Sequence, residues 1–62
     1  MARERKAIFK WVQVYYDRDW DEWQVEPRFG SVLEKERARY HASDRADAMD
    51  TAKAMDRSYE PA

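Results

Sequence analysis

Val14-Tyr-Tyr-Asp-Arg-Asp-Trp-Asp-Glu-Trp-Gln-Val25 carries four aromatics and four acids in twelve residues. Residues before Asp17 and after Asp21 favour strands, while Asp17-Arg-Asp-Trp-Asp21 interrupts both runs, so the stretch predicts a β-hairpin with an acidic tip. Upstream, Ala7 to Tyr16 reads as its first strand, rich in β-branched and aromatic residues and free of Gly and Pro. Alternation places Ile8, Lys10, Val12, Val14 and Tyr16 on one face and Phe9, Trp11, Gln13 and Tyr15 on the other. Neither face is simply polar, which predicts a central strand or one covered on both sides. Downstream, Glu22 to Glu26 is the second strand, with Trp23 and Val25 opposed to Glu22, Gln24 and Glu26. A turn at Pro27-Arg-Phe-Gly-Ser31 holds the only glycine.

Val32 to Ala42 supports two assignments. Ser31 and Glu34 have capping-box spacing and the residues after them favour helix. Arg39-Tyr-His-Ala42, by contrast, alternates. The expectation is a loop or single helical turn near Val32 to Arg37, then a short third strand from Ala38 to Ala42. Ser43 or Asp44 then caps a helix to about Arg57, which aligns Ala48, Met49, Ala52, Met55 and Tyr59 on one side. Asp47, Asp50, Lys53 and Arg57 fall on the other, and Pro61 stops any extension. The predicted fold is α+β: a three-stranded antiparallel sheet in the order β-β-β-α, with the C-terminal amphipathic helix packed on one face. Residues 1–6 read as a flexible basic arm, 7–59 as one small domain and 60–62 as a tail.

A chain of 62 residues buries only roughly 60% of its unfolded surface, so its stability is marginal. With no cysteine and a single histidine, neither disulfides nor a structural metal are expected as supports. Three Trp, four Tyr and two Phe must supply much of the buried apolar area. Homodimerisation is the other route to a complete core. This aromatic content also argues against disorder, although 40% of the residues are charged. Apolar runs are too short to span a membrane and no signal peptide is visible, which predicts a soluble cytoplasmic protein. The net charge of −1 hides an uneven distribution: Met1 to Tyr16 is +3, Asp17 to Glu26 is −4, Pro27 to His41 is +2 and Ala42 to Ala62 is −2. A uniformly basic nucleic-acid binder does not look like this.

Trp23-Gln-Val25 and Ala42-Ser-Asp-Arg-Ala-Asp-Ala-Met-Asp-Thr-Ala-Lys-Ala-Met55 resemble a bacterial family of short β-β-β-α domains of unknown function. Those domains place a Trp in the second strand and lead from the third strand through a Ser/Thr-Asp cap into an Ala-rich helix. Over roughly Lys10 to Met55 the chain is also similar to the arm-type DNA-binding domains of phage integrases and to plant ethylene-response-factor domains. The resemblance implies a three-stranded sheet backed by a helix. The second group would add a sheet face used in the DNA major groove, but it carries Arg and Lys where this hairpin is acidic.

Asp17, Asp19 and Asp21 have the alternate spacing of a calcium loop, yet the sixth position is Glu22 instead of Gly and the twelfth is Arg28 instead of an acid. No metal is expected, and the acids read as a solvated hairpin tip. His41 has no nucleophile or second ligand arranged with it, and a domain this small offers little volume for a pocket, so no enzyme, cofactor or small-molecule substrate is expected. The Met49 and Met55 stripe reads as the core side of the helix in preference to a partner groove. An uncovered sheet face bearing Phe9, Trp11 and Tyr15, joined by Arg39 and His41, would form an aromatic patch.

The sequence therefore predicts a non-enzymatic interaction module of accessory or phage-regulator type. It would bind a protein, a second copy included, through Phe9, Trp11, Tyr15, Asp19, Trp20 and Asp21. The alternative is a nucleic-acid module using Arg3, Arg5, Lys6, Lys10, Trp11, Arg28 and Arg39, supported by the basic arm and the resemblance.

Overall fold

The computed structural model describes residues 3–61. Its strands are β1 (Arg3–Ile8), β2 (Val12–Asp17), β3 (Glu22–Pro27) and β4 (Tyr40–Ala42), and its helices are α1 (Val32–Ala38) and α2 (Arg45–Tyr59). The strands pair in sequence order as one antiparallel sheet. The architecture is thus α+β with a C-terminal helix, as expected, but with four strands and two helices instead of three strands and one.

The extra strand comes from two corrections at the start of the chain. Arg3 to Lys6, expected as a flexible arm, belong to β1, with Arg3 opposite Asp17, Arg5 opposite Tyr15 and Lys6 at a shift in the register. Met1 and Ala2 of that arm, and Ala62 of the expected tail, lie outside the described residues. The run Ala7 to Tyr16 is two strands, because the chain reverses between Ile8 and Val12. Nothing between them has the φ freedom or side-chain oxygen that usually marks a turn. Phe9 N–H donates to the Val12 carbonyl at 2.8 Å, Arg28 N–H to the Trp11 carbonyl at 2.9 Å and Trp11 N–H to Asp56 Oδ1 at 2.7 Å. Only the first of these bonds is local. The turn is held mainly from outside, by the loop after β3 and by α2.

Other local chemistry follows the sequence. At the β2–β3 tip Asp17 Oδ1 accepts from Asp19 N–H at 3.0 Å, and Asp21 takes φ 48°, a left-handed value that Asp tolerates better than most residues. Gly30, at φ 94°, turns the chain into α1, whose capping box joins Ser31 and Glu34 in both directions. That segment forms two turns of helix, more than the single turn expected. Asp44 caps α2 by accepting from Asp47 N–H at 2.8 Å, and the helix runs two residues beyond the expected end.

α2 packs across β2, β3 and β4, and the buried core is Val12, Val14, Val25, Ala42, Ala48 and Ala52. Alanine at both fully buried helix positions lets the helix axis lie close on three valines. Ala7, Phe9, Trp11, Trp23, Met49, Met55 and Tyr59 surround this centre. The expected helix stripe thus faces the core.

Candidate functional site

Directly opposed strand residues share a face, so the register fixes what the side away from α2 displays. It carries Arg3, Arg5 and Ile8 from β1, Gln13, Tyr15 and Asp17 from β2, Glu22, Gln24 and Glu26 from β3, and His41 from β4. The aromatic face expected from the sequence is therefore absent. Only Tyr15 lies there, under the Arg3 guanidinium at 4.1 Å from the ring centroid. Phe9 and Trp11 belong to the β1–β2 turn and pack half-buried at the edge of the core. The turn resets the alternation on which the expectation rested.

A polar network covers this face. Glu26, only 5% exposed, accepts from Arg3 Nη2 at 2.7 Å, Arg39 Nε at 3.1 Å and Gln13 Nε2 at 3.2 Å. Gln24 donates to Glu22 at 2.9 Å, and His41 Nδ1 lies 2.8 Å from the same carboxylate. Those two contacts, Gln24 first, hold the Glu22 carboxyl below its ordinary value. The guanidiniums of Arg3 and Arg39 are thereby committed to a buried acid, although Arg3 Nε and Gln24 Oε1 are buried on this face without a hydrogen-bond partner among the described residues.

The hairpin tip is different. Asp19, Trp20 and Asp21 project from it, and Trp20 is 77% exposed, more than any other large apolar side chain described. The loop below is pinned. Asp17 holds Asp19 N–H, the Tyr16 hydroxyl donates to Asp21 Oδ1 at 2.5 Å and Arg18 turns back to Glu4 at 3.3 Å. The Asp21 contact raises the Tyr16 phenol above its ordinary value. The braced loop that carries this exposed indole has lost backbone freedom before any partner arrives, which lowers the entropy cost of binding.

The cations named for nucleic acid do not converge. Arg3 and Arg39 bind Glu26, Lys6 lies 3.4 Å from Glu4, Lys10 lies 3.9 Å from Glu60, and Arg28 donates to the Phe9 and Lys10 carbonyls at 2.9 and 3.3 Å. Arg5 is exposed, with no ion pair among the described residues. Among the described residues there is also no cavity, no cluster of acids, Cys or His suited to a metal, and no helix long and apolar enough to cross a membrane.

Sequence reasoning missed the ion network and the exposure of Val32, Leu33 and Phe29, the last packed edge-on against Trp11 and Tyr59. A signal for that exposure existed. Lys35, Glu36 and Arg37 stand three and four residues beyond Val32 and Leu33, so α1 has no apolar stripe to bury. Comparisons with protein-family models, curated proteins and solved structures return no match.

Proposed function

We propose that this chain is a small interaction module that binds a protein through the β2–β3 hairpin tip. The observation that carries the reading is Trp20, 77% exposed between Asp19 and Asp21 on a loop braced by three side chains. Tryptophan is the residue type most enriched at binding hot spots, and the flanking acids suit an apolar pocket rimmed by Lys or Arg. The Phe9, Trp11 and Tyr15 contacts expected from the sequence drop out of the proposed surface, since these side chains pack within the fold. Of its cations the nucleic-acid reading keeps Arg5 and Arg28 exposed without a described ion pair, and Arg28 is bonded to the Phe9 and Lys10 carbonyls, so it has less support.

The test is affinity capture from a nuclease-treated lysate with the wild-type chain and Trp20→Ala, both shown by circular dichroism to be folded. A protein held by the wild type and lost with Trp20→Ala is the expected result. Identical captured sets for the two chains, or capture abolished by the nuclease alone, would overturn the reading.

A further inference from the structure

Among the described residues, the large exposed apolar side chains other than Tyr40 are divided between the two ends of the sheet. Trp20 stands alone at the tip, beyond the Asp17–Glu22 pair. At the other end Val12 pairs with Pro27. Ile8 lies there opposite Gln13, Phe29 follows Pro27 by two residues, and α1 leaves from this end before the chain returns to pair Tyr40 with Val25. Ile8, Phe29, Val32 and Leu33 are all exposed. Charge divides the same way. Residues 17–22 hold four acids against Arg18, whereas residues 28–37 hold Arg28, Lys35 and Arg37 against two acids. One of those two, Glu34, is occupied in the Ser31 capping box.

We infer that the chain associates with itself head to tail, the Trp20 tip of one copy seating on the Phe29–Val32–Leu33 surface of the next. The inference rests on the proposal that the tip is a protein contact, and it names a second copy as the occupant. Asp19 and Asp21 would face Lys35 and Arg37, neither of which is in an ion pair among the described residues, so charge and apolar surface are complementary together. A two-fold contact of tip on tip would instead oppose acid to acid. The two surfaces differ and lie toward opposite ends of the β2–β3 hairpin, so the contact is heterologous and propagates into open chains or a ring.

Sedimentation over a dilution series tests this with the wild type, Trp20→Ala, Leu33→Asp and an equimolar mixture of the two variants. Both positions are exposed, and circular dichroism confirms that each variant folds. The wild type should grow in mass with concentration, and less so in high salt, while each variant alone stays monomeric. The mixture should form a discrete dimer, because Trp20→Ala retains the apolar end and Leu33→Asp retains the tip. Assembly by Trp20→Ala alone, or a mixture that stays monomeric beside an assembling wild type, overturns the head-to-tail contact. A wild type monomeric at every concentration also overturns it, but leaves the hairpin-tip proposal standing if Trp20 still captures a different protein.

Discussion

Arg3 on the edge strand reaches across β2 to place its guanidinium 2.7 Å from the carboxylate of Glu26 on β3. Arg39 meets the same oxygen from the opposite side at 3.1 Å. Glu26 therefore ties together the two flanks of the sheet on the face opposite α2.

Removing Glu26 should leave two half-buried guanidiniums without their acid. Glu26→Ala is expected to cost about 3 kcal/mol, the range for breaking a buried ion pair from one side. That is a large share of the stability of so small a domain. Urea denaturation measures it, and a midpoint equal to wild type would mean that the network contributes nothing. Lys6→Ala, at an exposed pair, should be indistinguishable from wild type in the same assay.

Asp56→Ala removes the acceptor for Trp11 N–H and should cost about 2 kcal/mol, as for a hydrogen bond to a charged group. Asp56→Asn keeps an oxygen in place and should recover much of that loss. Equal midpoints for the Ala and Asn variants would show that the bond at 2.7 Å does not hold the turn.

Stability should decline at both ends of the pH scale, for different residues. Gln24 and His41 lower the Glu22 carboxyl from 4.5, so its contribution is present above that value and is lost as pH falls through the folded one. Asp21 raises the Tyr16 phenol from 10.0, so that contribution is complete below 10.0 and is lost as pH rises through the folded value. Glu22→Gln should flatten the acid limb of a stability–pH curve, and Tyr16→Phe the alkaline limb. Unchanged slopes in either variant would remove that residue from the account.

Gly30→Ala should cost about 1 kcal/mol, because an L side chain at φ 94° is strained. Crowding adds little, since the new Cβ would lie 3.4 Å from its nearest described neighbour, Glu34 Cβ. A thermal midpoint matching the wild type would show that the turn relaxes freely.

What was legible in the sequence is what short-range chemistry determines. The acidic β2–β3 tip, the Ser31–Glu34 box, the Asp44 cap and the Ala48–Ala52 stripe each depend on residues a few positions apart. The reversal at Phe9-Lys-Trp11 depends on Asp56 and Arg28, and it was invisible for that reason. With it went the face of every residue before Val12, and so the aromatic patch. The exposure of Trp20 was legible, because no alternation pattern offered it a place in the core.

The same remote fastening sets an order of events. Trp11 N–H finds its acceptor 45 positions along the chain. The first hairpin therefore has no complete turn of its own to nucleate on, and it must wait for the helix that closes the opposite surface of the sheet. Closure of the β1–β2 turn should be a late event, since the loop to Asp56 must close before the bond rewards it. A fragment ending before Asp56 would leave β1 unzipped even with every strand present, and loss of amide-exchange protection at Glu4 to Ile8 would reveal it.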